Sequence, residues 1–232
     1  MNKQPKEFDR FLSLIGEEAF ENLQKKKILV VGLGGVGSYV VESLVRSGIL
    51  NMVIVDPDTV DITNINRQLI ALHSTIGKKK VDVIFSRIKD INPNCQVKKY
   101  DIFLNRDNQD FLLEEKYDYV IDCCDTMDTK KLLIDFSIRS NTPLISSMGT
   151  ANKMDPSKLE IVEIRKTMND PVARILRKYV KDQKYNQKIM VLSSRELPKK
   201  KGTMLASNAF VPSTAGLLLS SYVIRKIIND EK

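Results

Sequence analysis

The sequence predicts an α/β protein with a doubly wound, mainly parallel sheet and a mixed or antiparallel C-terminal extension. Three observations lead to this prediction: short β-branched runs bounded by turn residues, amphipathic helical segments between them, and an alternating pattern that begins only after residue 150. Short apolar runs of this kind are typical of strands buried on both faces. Right-handed crossovers between such strands place a ligand at their carboxyl ends.

The clearest unit is a strand, a glycine turn, a helix and a second strand within residues 27–56. Gly32, Gly34 and Gly37 follow the first strand with the G-x-G-x-x-G spacing, which permits a tight turn and close approach of the backbone to phosphate. Phosphate is favoured at a helix N-terminus because the N–H groups there are free and the helix dipole is positive. Asp56 ends the second strand, where its carboxylate can accept hydrogen bonds from ribose hydroxyls. We therefore expect a Rossmann-like nucleotide site.

Helices and strands alternate along the rest of the chain. Apolar residues at helical spacing predict an N-terminal helical arm over residues 8–24. The next segments predict a helix over 81–91, a strand over 95–103, a short helix over 106–115, a strand over 117–122, a helix over 129–139 and a strand over 143–147. The C-terminal segments predict a strand over 158–165, a basic helix over 170–182, a strand over 188–193, a lysine-rich loop over 199–202 and a final helix over 213–229. Three parts are expected: an arm (1–24), a Rossmann-like nucleotide-binding domain (25–150) and a basic extension of that domain (151–232).

Composition and charge predict a globular protein with a polyanionic partner. The net charge is +8, and residues 165–232 hold 15 Lys and Arg against 5 Asp and Glu. This asymmetry favours nucleic acid as the partner, and a lysine-rich surface without a partner is the alternative. Three cysteines without a C-x-x-C pair predict a reducing cytoplasm, no disulfide framework and no structural zinc. Neither a signal peptide nor a membrane span is expected.

A long polar segment, residues 57–80, carries several side chains suited to phosphate chemistry. A loop of this length in a compact domain is usually functional or disordered. The default interpretation of the glycine turn is an NAD-type dehydrogenase, but hydride transfer does not require the cations of this segment. Arg67 and Lys80 are better explained by a triphosphate, since charge builds on phosphate oxygens when phosphoryl or nucleotidyl groups are transferred. Asp122 and Asp125 end a later strand and suit an Mg²⁺ ion shared with those oxygens.

Five blocks in order resemble the adenylating domain of ubiquitin-activating-like enzymes, the ThiF, MoeB and HesA group. They are V-G-L-G-G-V-G at residues 31–37, D-x-D-x-V at 56–60, N-I-N-R-Q at 64–68, G-K-K-K at 77–80 and D-C-C-D at 122–125. The resemblance implies that a substrate oxygen attacks the α-phosphate of ATP, which gives an acyl-type adenylate and pyrophosphate. It implies a catalytic set of Arg67, Lys80 and Asp125, with Mg²⁺ at Asp125. The implied nucleotide-binding residues are Gly32, Gly34, Gly35, Gly37, Asp56, Asp58, Asn64, Arg67, Gln68, Lys80 and Asp122, with Arg10 from a neighbouring subunit as a further candidate.

Further blocks resemble one branch of that group, the tRNA threonylcarbamoyladenosine dehydratases. They are I-G-E-E-A-F at residues 15–20, I-N-P-N-C at 91–95, K-T-M-N-D-P-V-A at 166–173 and F-V-P-S-T-A-G at 210–216. The missing C-x-x-C zinc pairs, usual in sulfur-carrier activators, agree with this branch. The resemblance implies ATP-dependent activation of the threonylcarbamoyl carboxylate on tRNA, then ring closure with net loss of water. It also implies a homodimer, a bound K⁺ or Na⁺, a sulfur-transfer or desulfurase-type partner, and contact of the basic C-terminal third with tRNA.

Two other functions stay open from the sequence. One is an activator of a ubiquitin-like or sulfur-carrier protein, and the other is a non-catalytic nucleotide-sensing or tRNA-binding module. The presence of Arg67, Lys80 and Asp125 argues against the second. Cys123 and Cys124 could provide a thiol for thioester transfer, but a cysteine at a strand end is more often a small buried apolar residue.

Overall fold

A computed structural model describes residues 6–199 and 205–229. These residues form a seven-stranded sheet with helices on both faces. The strands are β1 (Lys27–Val31), β2 (Asn51–Val55), β3 (Gln96–Tyr100), β4 (Tyr119–Asp122), β5 (Leu144–Ser147), β6 (Leu159–Glu163) and β7 (Met190–Ser194). The helices are α1 (Asp9–Ile15), α2 (Glu17–Lys25), α3 (Gly37–Arg46), α4 (Lys80–Ile91), α5 (Met127–Ser140), α6 (Pro171–Asp182) and α7 (Phe210–Asn229).

The strands lie in the order β3-β2-β1-β4-β5-β7-β6. Every neighbouring pair is parallel except β6 and β7, which pair antiparallel. The chain order reverses between β1 and β4, so ligand is expected in the crevice at the carboxyl ends of these two strands. The predicted fold class, a doubly wound and mainly parallel sheet with an antiparallel C-terminal extension, is confirmed.

Alternate residues of the central strands divide the core into two layers. Ile28 and Val30 of β1 pack in one layer with α3, α4 and α7. Leu29 and Val31 pack in the other layer with α5 and α6. Because both faces of β1 are covered, the strand needs apolar residues at successive positions, and it appears in the sequence as a continuous apolar run.

The predicted N-terminal arm consists of two helices, because Gly16 separates α1 from α2 with a φ of 86°. The second of these helices packs on its own domain. The Phe20 ring occupies the space where a Cβ on Gly48 would lie, and Asn22 Nδ2 donates to the carbonyl oxygen of Ile227 at 3.3 Å. Helix α1 also contacts the domain, because Phe11 packs against the core and the Phe8 ring lies 6.1 Å from that of Phe20.

Two predicted helices differ from those observed. Residues 106–115 contain only a 3-10 turn at Gln109–Leu113, because Asn105 and Asn108 side chains bond to nearby backbone groups and compete with a regular helix. Helix α7 begins earlier than predicted because Asn208 Oδ1 accepts hydrogen bonds from the first N–H groups of the helix. The lysine-rich loop predicted over 199–202 lies outside the described residues apart from Lys199. The division at residues 24 and 150 stays a prediction.

Among the described helices, none is both long and apolar enough to cross a bilayer. The most apolar of them, α7, packs against α3, α2 and the sheet.

Candidate active site

A cavity of about 830 Å³ opens at the carboxyl ends of β1, β2, β4 and β5. Such a volume is typical of a ligand-binding site. The predicted site residues that line the cavity are Gly32, Gly34, Gly35, Asp56, Asp58, Asn64, Arg67, Gln68, Lys80 and Asp125. Gly37 and Asp122 were also predicted for this site, and they are not part of the lining. Arg10 was predicted to reach the cavity of a neighbouring subunit, and it does not line the cavity of its own chain.

The glycine turn between β1 and α3 brings the backbone close to the end of β4. Gly32 has a φ of 89°, and a Cβ there would lie 2.7 Å from backbone atoms of Cys123 and Cys124. A Cβ on Gly37 would lie 1.7 Å from the carbonyl oxygen of Gly32. Gly37 therefore serves the packing of the helix on the strand, and its predicted contact with the nucleotide stays a prediction.

Asp56 is fixed at the end of β2 by two backbone donors. Its Oδ2 accepts a hydrogen bond from the N–H of Leu33 at 2.6 Å, and its Oδ1 accepts one from the N–H of Asp58 at 2.9 Å. Burial raises the pKa of Asp56, and the positive charge of Lys80 and these two hydrogen bonds oppose the rise. The carboxylate is thus held in one orientation at the wall of the cavity.

Lys80 lies at the start of α4 and faces two carboxylates. Its Nζ is 2.6 Å from Asp58 Oδ2 and 3.7 Å from Asp56 Oδ1. The side chain of Lys80 is buried, whereas that of Asp58 is mostly exposed. A buried ammonium needs such partners, because an unpaired charge is costly to bury.

The polar segment 57–80 is a structured loop. A bridge between Thr59 and Lys79 closes it, and Asn64 Oδ1 accepts a hydrogen bond from the N–H of Asp61 in a capping box. Arg67 Nη1 donates to the carbonyl oxygen of Thr63 at 2.8 Å and to Asn66 Oδ1 at 2.9 Å. These bonds use a single nitrogen of the guanidinium, so its other N–H groups remain for a ligand.

Gln68 has a buried acceptor without a partner. The residue is 7% exposed, and its Oε1 makes no hydrogen bond with any described residue. Its amide lies beside the glycine turn, with Nε2 at 3.6 Å from the position of a Cβ on Gly34. Because an unsatisfied buried acceptor costs about 1–3 kcal/mol, a donor from a bound ligand or its water is expected here.

The two acids at the end of β4 lie in different environments, since Asp122 is buried and Asp125 is exposed. Asp122 Oδ2 accepts hydrogen bonds from Lys130 Nζ at 2.9 Å and from Ser146 Oγ at 2.5 Å, and the residue is fully buried. Asp125 is exposed, lines the cavity and forms no ion pair with a described residue. The expected sharing of Mg²⁺ between these two acids is therefore corrected, because Lys130 and Ser146 already satisfy Asp122.

The two cysteines beside Asp122 are poor nucleophiles. Burial, with the nearby negative charge of Asp122 as the second cause, raises the pKa of both Cys123 and Cys124 far above the ordinary value. The thiol of Cys124 also donates a hydrogen bond to Asp122 Oδ1. Both side chains are therefore thiols at neutral pH, which argues against the thioester role left open by the sequence.

Lys153 and Asp170 form a buried ion pair at the far end of the cavity. Lys153 Nζ is 2.9 Å from Asp170 Oδ2 and 2.6 Å from the carbonyl oxygen of Gly149, and both side chains are almost fully buried. Asp170 Oδ1 also caps α6 through the N–H of Ala173. The Asp-Pro dipeptide was a signal for this cap, but nothing in the sequence indicated Lys153, which lines the cavity.

Arg10 is exposed on α1, outside the cavity lining. Among the described residues, no group of three or more His, Cys, Asp and Glu side chains could hold a metal ion by itself. A magnesium ion at Asp125 would therefore take most of its oxygen ligands from substrate phosphates and water, as is usual for this metal.

The match to a family model decides the classification. Residues 8–230 match the model of the ThiF family. This chain belongs to the ThiF family. The ThiF resemblance seen in the motifs is thereby confirmed over nearly the whole chain.

The relatives that match this ThiF-family chain along most of their own length are named for one reaction, and a shorter match is named for another. It is 39% identical to the tRNA threonylcarbamoyladenosine dehydratase of Bacillus subtilis, with 97% of this chain and 95% of the relative covered. The structure of the Escherichia coli tRNA N6-threonylcarbamoyladenosine dehydratase, TcdA, in complex with ATP is 32% identical, with a TM-score of 0.91 over 97% of this chain and 95% of that one. An adenylyltransferase and sulfurtransferase, UBA4, of Vanderwaltozyma polyspora is 37% identical, but the match covers 60% of this chain and 31% of that protein.

Proposed function

We propose that this protein dehydrates threonylcarbamoyladenosine in tRNA, using ATP to adenylate the carboxylate before the ring closes. The observation that carries the proposal is the similarity to dehydratases along nearly the entire length of this chain and of each relative. The likeness to adenylyltransferase–sulfurtransferases is shorter, so activation of a carrier protein is the less favoured function.

ATP is proposed to occupy the half of the cavity beside the glycine turn. Asp56 would accept hydrogen bonds from the ribose hydroxyls, and Gly34 and Gly35 leave room for the phosphates close to the backbone. The unpartnered Oε1 of Gln68 fits a ligand in this half, because it needs a donor from the nucleotide or from a water bound to it. Asn64 lines the same wall.

The proposed reaction has two steps. A carboxylate oxygen of the threonylcarbamoyl group attacks the α-phosphorus, and the bond from that phosphorus to pyrophosphate breaks. An atom of the same substrate then attacks the activated carboxyl carbon, the ring closes, and AMP leaves with the former carboxylate oxygen while a proton is released. Arg67 and Lys80 would stabilise the negative charge that builds on the phosphate oxygens, and the cavity would hold the two reactants in line.

Asp125 is the residue that fits Mg²⁺, because its carboxylate is exposed to the cavity and forms no ion pair with a described residue. When bound, the ion would reduce the negative charge of the triphosphate. A monovalent cation, K⁺ or Na⁺, is proposed as a further cofactor from the family resemblance alone.

The tRNA is proposed to lie on the basic C-terminal surface, where Arg174, Lys178 and Lys181 of α6 are exposed. Removing one of the α6 cations that contact a tRNA phosphate should reduce the slope of the logarithm of the tRNA binding constant against the logarithm of the salt concentration by about one.

A homodimer in which Arg10 completes the partner's cavity agrees with the exposed position of this residue. A sulfur-transfer or desulfurase-type partner stays a proposal from the resemblance, and a tRNA substrate implies action in the cytoplasm.

The function is tested by incubating the protein with ATP, Mg²⁺, K⁺ and tRNA that carries threonylcarbamoyladenosine, then digesting the tRNA and weighing the nucleosides. The expected result is loss of the mass of one water from the modified adenosine, together with AMP and pyrophosphate. An unchanged nucleoside would contradict the proposal. Parallel reactions with small Gly-Gly carrier proteins would then show whether the site adenylates a protein.

A further inference from the structure

Residues 205–209, here called the strap, join the two walls of the cavity. Leu205 and Ser207 of the strap line the cavity themselves. On the nucleotide side, Asn66 Nδ2 donates to the carbonyl oxygen of Ser207 at 3.0 Å. Asn66 also accepts a hydrogen bond from Arg67, so one side chain contacts both the strap and a residue proposed to bind phosphate.

On the opposite side, Asn152 binds the strap with both its backbone and its side chain. Its N–H donates to the carbonyl oxygen of Ala206 at 2.8 Å, and its Oδ1 accepts from the N–H of Ala206 at 2.9 Å. Asn208 Nδ2 donates to the carbonyl oxygen of Lys153 at 2.7 Å. Asn152 has a φ of 59°, a conformation that asparagine, aspartate and glycine adopt more readily than other residues.

The strap is also continuous with α7, whose first turn packs on the glycine turn. Asn208 Oδ1 caps this helix, and Pro212 Cβ lies 3.2 Å from the position of a Cβ on Gly35. The position of the strap is therefore tied to three parts of the cavity: the glycine turn, the 57–80 segment and the loop after β5.

We propose that Asn66 and Asn152 are positioning residues that hold the strap over the reacting carboxyl group and exclude water from the adenylate. This inference rests on the proposed function. An acyl adenylate reacts with water, which adds to the carboxyl carbon and breaks its bond to AMP. The free carboxylate is regenerated, and AMP and protons are released. Each such event consumes one ATP and gives no dehydrated nucleoside. Closing a site over a reactive intermediate prevents this loss.

The test compares pyrophosphate released with dehydrated nucleoside formed. Asn152→Gly retains the backbone conformation and removes the acceptor for the N–H of Ala206. Asn152→Asp is the matched control, because it retains that acceptor. Asn66→Asp is a second way to weaken the strap, since it removes the donor to Ser207 and keeps an acceptor for Arg67.

For the wild-type protein and Asn152→Asp, about one pyrophosphate per product is expected. For Asn152→Gly and Asn66→Asp, at least a threefold higher ratio is expected, with unchanged melting temperatures. Pyrophosphate release should also be undiminished in Asn152→Gly, whereas Asn66→Asp places a carboxylate beside Arg67 and is judged by the ratio alone. A ratio of one in both weakened variants would overturn the proposal, as would an equal fall in both products, which indicates only a structural role. If Asn152→Gly does not fold, Asn66→Asp alone decides. A wild-type protein that forms no dehydrated nucleoside refutes the proposed function first, and the strap inference with it.

Discussion

The two halves of the cavity are built by different kinds of contact. In the nucleotide half, residues of one continuous strand–turn–helix–strand unit position the site: Asp56 is held by the N–H of Leu33, 23 positions away, and by that of Asp58, and Gly37 packs on Gly32. In the C-terminal half, contacts between segments far apart in the sequence do so, such as the hydrogen bond from the N–H of Ala206 to Asn152 Oδ1, which joins residues 54 positions apart. The nucleotide half is thus built mainly from one continuous stretch of sequence, whereas the C-terminal half depends on contacts that form only when segments far apart in the sequence come together.

This difference explains what could be predicted from the sequence. The glycine turn and Asp56 were predictable because the turn geometry demands glycine at fixed spacing and places an acid at the next strand end. The burial of Asp122 was not predictable, because it depends on Lys130 of α5 and Ser146 of β5, which bond to it only in the folded chain. Lys153 was missed for the same reason: its role depends on Asp170, and no motif joins the two.

The largest effect is expected from Gly37→Ala in the nucleotide half. Its Cβ would lie 1.7 Å from the carbonyl oxygen of Gly32, so the helix must move off the strand. We expect a loss of more than about 4 kcal/mol in the free energy of unfolding, measured by denaturant titration. Gly77→Ala is the control for backbone strain alone, because Gly77 has a φ of 81° but open space around its Cβ position, and it should cost only about 1 kcal/mol. Equal losses in the two variants would contradict the close-packing role of Gly37.

In the C-terminal half, the largest effect on stability is expected from Lys153→Met. This change leaves Asp170 buried without its counter-charge, which should cost about 3–5 kcal/mol in the free energy of unfolding. The double variant with Asp170→Asn removes the buried charge while retaining an acceptor for the cap of α6, so it should recover most of the loss. A double variant no more stable than the single one would show that the two residues are not coupled.

In the nucleotide half, Arg67→Ala should slow the reaction without destabilising the fold. The rate of pyrophosphate release is expected to fall about 100-fold or more, since an anchor for the developing phosphate charge is lost, and the melting temperature should stay within a few degrees. Lys79→Ala provides the comparison, because Lys79 is exposed, lies in the same segment and does not line the cavity. Wild-type turnover in Arg67→Ala would exclude the proposed role of this arginine.

The smallest effect is expected from Glu42→Gln, on the outer surface of the nucleotide half. Burial alone would raise the pKa of Glu42, but hydrogen bonds from Arg87 and Arg46 outweigh it and lower the pKa below 4.5. The ion pairs therefore add stability above pH 4.5 that disappears as the pH falls through the lowered value. Because both arginines are partly exposed, the variant should lose at most about 1 kcal/mol at pH 7 and nothing at strongly acid pH, as measured by denaturation at several pH values. A loss that persists in acid would point to packing instead.

Transfer of oxygen-18 tests the central claim most directly. The threonylcarbamoyl carboxylate on tRNA is labelled with oxygen-18, the protein and ATP are added, and the AMP is weighed. If the carboxylate attacks the α-phosphorus and AMP leaves when the ring closes, one labelled oxygen must appear in AMP for each dehydrated nucleoside. Unlabelled AMP, or label in inorganic phosphate with ADP as the other product, would contradict adenylation of this carboxylate.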